Sequence, residues 1–248
     1  PLEILEDIRI RKDILQWRDQ LAKRSAKQAD YAFSIFRRLV QFGVHNGEIT
    51  QNHLSRPGRL YTGNRSDKIW LPDDVNKFMS VASLELQTAM ILALNTGQRK
   101  GDLLRLTWTS YDGTSLTLRQ SKTNRKVFVP CTKTLKTTLD TLDKNAAVIL
   151  TNSRKLPWTA DGFSTSWGKT AKKAGIENLT FHDLRGTAIT ILAEQECTSL
   201  EIATITGHSL KYVETILDTY ASRTKPLAQA AILRLEKSWI SEVRKKKK

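Results

Sequence analysis

At 248 residues the chain is long enough for one large domain or two modest ones, and 40% apolar residues suffice for true cores, so a wholly disordered basic polypeptide is excluded. Forty lysines and arginines against 25 acids leave a formal charge of +15, of which the terminal run Arg244–Lys248 supplies a third. Such a surface concentrates polyanions and favours nucleic acid as partner, with an anionic membrane or an acidic protein as the other readings. The longest apolar stretches, such as Ala89–Leu94, fall far short of the roughly 20 residues that cross a bilayer. Pro1-Leu2-Glu3-Ile4 does not read as a signal peptide, and two cysteines, Cys131 and Cys197, exclude a disulfide scaffold and suit a reducing cytoplasm.

The first segment, residues 1–52, reads as a small helical domain. Ile14, Trp17 and Leu21 mark one apolar stripe, and Ala32, Ile35, Phe36, Leu39 and Val40 mark a second. Ser25 is placed to cap the second helix, and Gly43 and Gly47 punctuate its end. Arg18, Lys23, Arg24, Lys27, Arg37 and Arg38 lie between and outside these stripes, as a DNA-binding surface requires. Residues 53–68 lose periodicity, contain Pro57, Gly58 and Gly63, and read as a basic linker. Its Arg56, Arg59 and Arg65 suit a strap on a phosphate backbone or a solvated loop equally.

A larger unit, residues 69–248, follows. Pro72-Asp73-Asp74 opens a helix with Val75, Phe78 and Met79 on its apolar face, and a second helix through Leu86–Leu94 stops at Asn95-Thr96-Gly97. A short helix over Lys100–Leu106 gives way to two strands, Ser115–Leu118 and Lys126–Val129, around the turn Ser121-Lys122-Thr123-Asn124. Val148–Leu150 suggests one more short strand. Helices are expected around Leu135–Leu142, Phe163–Ala174, Leu184–Glu194, Leu200–Ile205 and Val213–Tyr220, and the tail over Ala228–Ile240, with Ala231, Leu233, Leu235 and Trp239, is more apolar than a disordered one needs. The fold class is mainly α with a small antiparallel sheet.

Three stretches put a nucleophile or proton carrier beside glycine or arginine at a helix boundary. They are Thr96-Gly97-Gln98-Arg99-Lys100-Gly101-Asp102, Phe181-His182-Asp183-Leu184-Arg185 and Thr206-Gly207-His208, the last leading to Tyr220. Arg99 and Asp102, like His182 and Arg185, are three apart and share a helical side. Alone each is commonplace: an arginine after a glycine turn is usually surface, and a tyrosine ending an apolar helix is usually core. In this order they resemble the tyrosine recombinase, or phage integrase, family. Its catalytic domains show T-G-x-R-x-x-[DE]-L-L-x-L-x-W, a lysine in a β-hairpin turn, H-x-L-R-x-T, G-H and then tyrosine. The likeness covers about residues 72–235, and the N-terminal segment is similar to a shortened core-binding domain. One departure concerns the nucleophile: relatives often place tyrosine about nine residues beyond the G-H histidine, whereas Tyr220 lies twelve beyond His208. An extra helical turn in Leu210–Asp218 accounts for that, and Tyr212, only four beyond, is too close to travel on the following helix.

The resemblance implies a site-specific DNA recombinase of a phage or other mobile element that binds duplex DNA and cuts it through a 3′-phosphotyrosyl intermediate. It implies a homo-tetramer on two DNA sites held by exchange of C-terminal helices, possible DNA-bending accessory proteins, no cofactor and no metal. The residue types suit the chemistry. Tyr220 is the nucleophile, Arg99 and Arg185 clamp the non-bridging oxygens with paired donors, and Lys122 is the general acid for the 5′ oxygen. His182 carries the nucleophile's proton, His208 donates to a phosphoryl oxygen, and Asp102 holds Arg99 or a histidine in place. Two further readings remain open here: a DNA-binding architectural protein without activity, and a type IB topoisomerase using a nearly identical site.

Overall fold

A computed structural model describes residues 2–54, 57–63, 65, 68–220, 229, 232–233 and 235–236. Arg56, most of the apolar tail over 228–240 and the lysine run lie outside the described residues. The chain divides into two compact units, residues 1–64 and 65–248.

The first unit is built on α1 (Ile10–Ala22) and α2 (Ala26–His45). Ser25, in extended conformation, accepts a hydrogen bond from the Gln28 N–H and so satisfies one of the orphan donors that begin α2. Phe33, Val40, Ile49 and Leu54 form the core, with Ile14, Leu15 and Phe36 packed against it. Of the second stripe only Phe36 and Val40 face this core; Ile35 and Leu39 are exposed and continue an outward apolar row with Tyr31 and Phe42.

Two basic residues expected on a DNA-facing surface serve the fold instead. Arg18 is buried, its guanidinium 5.6 Å from the Phe33 ring centre and donating to the Gly58 carbonyl at 3.1 Å. A guanidinium used this way has much of its donor capacity committed to the fold, though Arg18 still lines the edge of a groove in this unit. It pins residues 57–59 to α1, while the Asp30 carboxylate accepts from the backbone N–H groups of Leu60 and Tyr61. The stretch expected as linker from residue 53 therefore folds back on the first unit through Tyr61, and Leu54 is part of its core. Arg65, the other exception, belongs to the second unit and is treated below.

Near the start of the second unit Trp70 is anchored twice: its backbone N–H donates to Thr187 and its indole donates to the Thr180 carbonyl. Its elements are α3 (Pro72–Val81), α4 (Leu84–Thr96), α5 (Lys100–Leu104), β1 (Ser115–Arg119), β2 (Lys126–Pro130), α6 (Lys133–Thr141), α7 (Ala160–Lys173), α8 (Leu184–Glu194), α9 (Ser199–Thr206) and α10 (Leu210–Tyr220). Proline at the first position of α3 loses no intrahelical bond there. α4 and α8 are apolar nearly all round because each is central: Leu86, Ala89, Met90 and Leu92 of α4, and Leu184, Ala188 and Ile189 of α8, are fully buried. Beside them Trp70, Phe78, Phe163, Trp167 and Phe181 interlock, the Phe78 and Trp167 rings stacked at 4.2 Å. β1 and β2 are antiparallel in the register Ser115↔Pro130 to Arg119↔Lys126, with Leu116, Leu118, Val127 and Val129 turned inward and Phe128 outward. Val148–Leu150 does not become a ladder strand. It makes one bridge, Thr107↔Val148, because its buried Ile149 and Leu150 are anchored by packing and by the bond from the Ile149 N–H to the Leu106 carbonyl.

If Arg18 is a structural group, Arg18→Met should lower the first unit's stability by about 1–3 kcal/mol, because the Gly58 carbonyl and the packed stem lose their charged donor. Amide hydrogen exchange across α1, α2 and residues 57–61 would report it as faster exchange confined to those segments.

Candidate active site

Two helices of the second unit end alike. α4 and α9 close on Gly97 and Gly207, both left-handed (φ 60° and 68°), whose N–H groups bond back to the Ala93 and Ala203 carbonyls. The two caps meet. A Cβ on Gly97 would lie 2.8 Å from the Thr206 methyl, and one on Gly207 would lie 2.4 Å from the Gln120 amide nitrogen, so both positions need glycine for space as well as for conformation. The chain leaves these caps carrying Arg99 and His208. Between them the single turn Phe181–Asp183 and the first turn of α8 deliver His182 and Arg185.

Arg185 is the centre. Its residue is 5% exposed; Nε donates to His208 Nε2 at 2.9 Å and Nη1 donates to the Gly97 carbonyl, while Nη2 is buried without a protein acceptor. Because Arg185 can only donate, His208 Nε2 must be the unprotonated nitrogen. The ring proton then sits on Nδ1 and is given to Thr206 Oγ1 at 2.9 Å, and that hydroxyl donates on to the Ile202 carbonyl. Burial, then the nearby Arg185 and Arg99 guanidiniums, push the His208 pKa down to about 3. Burial, then Arg99, bring Arg185 itself down to about 9. His208 was expected to donate to a phosphoryl oxygen; in this geometry its free lone pair is engaged by Arg185 and it orients the guanidinium instead.

Arg99 is partly exposed and donates through Nη1 to Gln120 Oε1 at 3.2 Å, with Asp102 Oδ2 at 3.9 Å. Asp102 does more for the hairpin than for Arg99: its Oδ1 accepts from the Ser121 N–H (3.0 Å) and hydroxyl (2.8 Å) and from Arg105, and it touches no histidine. The turn it fixes carries Lys122, which is exposed. His182 lies at the exposed rim; desolvation and the guanidiniums of Arg185 and Arg99 outweigh Asp183 and lower its pKa. Tyr220 ends α10, which runs unbroken from Leu210, but its side chain lies outside the described residues. Tyr212, in the first turn of α10, stacks on His208 with ring centres 4.8 Å apart.

Residues 70–225 match the family model described as the phage integrase family. The chain belongs to that family. It is 24% identical over 206 residues to the integrase of Escherichia phage lambda, covering 77% of this chain and 58% of that protein. It is 30% identical over 138 residues to the shufflon-specific DNA recombinase of Escherichia coli, covering 54% and 34%. The chain thus spans less than two thirds of the curated relatives it matches. Its fold is shared with lambda integrase residues 75–356 bound to DNA (TM-score 0.72, 23% identity, 86% of this chain and 82% of that one), and with a lambda integrase tetramer bound to a Holliday junction (0.68, 24%, 80% and 64%).

The second unit of this phage integrase family member brings Arg99, His182, Arg185 and His208 into one electrostatic neighbourhood, with Lys122 on a turn tied to the same junction. The motif left several supports unseen. Arg65 donates to Asp183 Oδ1 (3.1 Å) and to the Asn178 carbonyl (2.8 Å), so it braces the turn that carries His182 rather than standing free on a linker. Burial would raise the Asp183 carboxyl, but the donors of Arg65 and Thr180 hold it below its ordinary value. Arg125 donates to the His208 carbonyl at 2.7 Å, and Gln98 and Gln120 are buried between the two caps. Of the DNA-binding candidates, Lys23, Arg24, Lys27, Arg38 and Arg59 are exposed and Arg37 half-buried. A groove of about 460 Å³ in the first unit is lined by Lys27, Arg37, Arg38 and Arg59 together with Tyr31 and Tyr61.

His208 remains neutral in the folded chain down to about pH 3, yet takes a proton near its ordinary value of 6.5 once unfolded. The unfolded state therefore binds more protons between those values, and stability is lost as pH falls from about 6.5 toward 3, this one group contributing at most about 1.4 kcal/mol per pH unit. Urea melts across that range should show a shallower acid slope for His208→Asn than for the natural chain; equal slopes would contradict the burial of a neutral ring.

Proposed function

We propose that the chain is a site-specific DNA recombinase that cleaves and rejoins duplex DNA through a 3′-phosphotyrosyl intermediate, in the cytoplasm of a bacterium, without metal or cofactor. The observation that carries this reading is Arg185: a buried guanidinium with an unpaired donor, Nη2, held beside a neutral histidine and a second arginine. A buried arginine donor left unpaired by the protein needs an acceptor from outside it, an ordered water or an anionic oxygen. Two guanidiniums whose proximity lowers a pKa are a site arranged for an anion with several oxygens.

In the proposed reaction the Tyr220 oxygen attacks phosphorus as its proton passes to His182, whose lowered pKa leaves it neutral and able to accept. The phosphorus–tyrosyl oxygen bond forms, the phosphorus–5′ oxygen bond breaks, and Lys122 gives the departing 5′ oxygen its proton. Arg99 and Arg185 balance the charge that builds on the non-bridging oxygens, and His208 and Gly97 hold Arg185 to that task. Asp102 fixes the hairpin that carries Lys122. Lys23, Arg24, Lys27, Arg37, Arg38 and Arg59 of the first unit are proposed to lie along the DNA backbone, the groove lined by Lys27, Arg37, Arg38 and Arg59 supporting those four and surface exposure the other two. Assembly is proposed as a homo-tetramer on two sites through C-terminal helices, after the lambda integrase tetramer.

One observation favours a second reading of the nucleophile: the Tyr212 ring stacks on His208, with ring centres 4.8 Å apart. A nicked suicide duplex separates them. The natural chain should form an adduct stable to SDS that maps to Tyr220; Tyr220→Phe should abolish it, Tyr212→Phe should keep it, and Arg185→Lys should slow it by about 100-fold or more. An adduct at Tyr212 would reassign the nucleophile. Salt-sensitive DNA binding with no adduct would leave an inactive binding protein, and relaxation of arbitrary supercoiled DNA by a monomer would leave a topoisomerase.

His182 gives a pH expectation. If it receives the phenol's proton, the cleavage rate should fall as pH drops through a value below 6.5, and His182→Gln should remove that inflection from the rate profile.

A further inference from the structure

Gln120 directly follows β1 and is fully buried, a long polar side chain with no exposure at all. Its four contacts leave it one orientation. Oε1 accepts from Arg99 Nη1 at 3.2 Å and from the Thr123 hydroxyl at 2.8 Å; Nε2 donates to the Thr206 carbonyl at 2.8 Å and to Gln98 Oε1 at 2.7 Å. Arg99 can only donate and the Thr206 carbonyl can only accept, so the amide cannot be turned over. Gln98 is fixed in the same way, giving Nε2 to the carbonyls of Thr96 and Ile205 and leaving its oxygen for Gln120. The backbone of Gln120 also closes the hairpin, donating to the Arg125 carbonyl and accepting from the Asn124 N–H.

We propose that Gln120 is a positioning residue that presents Arg99 and the Lys122 hairpin to the same phosphate from one amide oxygen; the proposal rests on the recombinase reading above. Neither group is fixed by its own element. Arg99 sits at the start of a five-residue helix, and its hydrogen bond is to Gln120, since Asp102 at 3.9 Å lies beyond hydrogen-bond reach. With Nη1 occupied by Gln120, Arg99 keeps Nε and Nη2 for a pair of phosphoryl oxygens. The turn carrying Lys122 is held at Ser121 by Asp102 and at Thr123 by Gln120. Loss of the Gln120 amide therefore loosens the charge clamp and the proton donor together, whereas loss of the Thr123 hydroxyl loosens the hairpin alone.

Cleavage of suicide duplexes carrying three different scissile groups tests this. On an ordinary phosphodiester, Gln120→Met should cleave about 10- to 100-fold more slowly than the natural chain, with affinity for uncleaved duplex held within about 3-fold. On a methylphosphonate, which carries one negative charge fewer for the arginines to balance in the transition state, that defect should shrink to a few-fold. Thr123→Val should show a smaller defect that disappears on a 5′-bridging phosphorothiolate, whose leaving group needs no proton, and persists on the methylphosphonate. A Gln120→Met rate within about 3-fold of the natural chain, or an equal loss on all three substrates, would show that the amide merely supports the fold. Should Gln120→Met melt too low to assay, Thr123→Val, in an exposed turn, tests the shared oxygen: its defect should persist on the methylphosphonate and vanish on the phosphorothiolate, and an equal loss on all three substrates would overturn the proposal. No adduct from the natural chain on any substrate would remove the recombinase reading and this one with it; adducts from the natural chain with the wrong variant pattern would remove this one alone.

Discussion

A guanidinium taken out of water is the constraint around which the second unit is built. Desolvating Arg185 is costly, and the fold offsets that cost with two fixed acceptors, the Gly97 carbonyl and His208 Nε2, each held at the end of a different helix. Those acceptors stay in place only because α4 and α9 stop where they do, on left-handed glycines whose missing side chains let the caps touch. The central helices α4 and α8 are apolar on nearly every face for the same reason: they carry the site's polar groups at their ends and core along their length. With Arg99 nearby, the arrangement is one of mutual repulsion among cations. It stores an electrostatic cost that an anion, and in particular a phosphate gaining charge, would relieve.

Neutral histidine is the less obvious half of this design. A His208 protonated on both nitrogens would face Arg185 with a donor rather than an acceptor, and the guanidinium would lose its orientation. Burial and the surrounding positive charge prevent this by holding the ring deprotonated across the working range. The residue thus turns the site's own repulsion into a device for fixing its tautomer. His182, at the exposed rim, is subject to the same field more weakly, which suits the proton-accepting role proposed for it.

What could be read in the sequence was whatever short-range chemistry records. Ser25 before α2, proline opening α3, and Gly97 and Gly207 ending their helices follow from local backbone rules, and the placement of Arg99, His182, Arg185 and His208 at helix boundaries followed from motif order. What escaped were groups whose role is set by partners far along the chain. Arg18 and Arg65 look in sequence like their basic neighbours, yet one is bonded 40 residues away to Gly58 and the other more than a hundred away to Asp183. A count of positive charge cannot separate a cation that meets solvent from one consumed by a carbonyl. Val148–Leu150 shows the converse: an apolar triplet, two of its residues β-branched, whose burial is satisfied by packing and a single bridge.

The same distinction explains why Gln120 carries more of the site than its residue type suggests. A neutral amide draws no attention beside arginine, histidine and lysine, and neither its periodicity nor its spacing marks it. Its value lies in having a donor and an acceptor end at a place where one side offers only donors, Arg99 and Thr123, and the other offers acceptors, the Thr206 carbonyl and Gln98. A carboxylate there would satisfy the first side and repel the second; an amine would do the reverse. The glycine at 207 follows from that choice, because an amide large enough to bridge the two sides leaves no room for a Cβ on the cap it touches. The G-H pair thus shares a physical origin with a glutamine 86 residues before Thr206, the residue that precedes the pair.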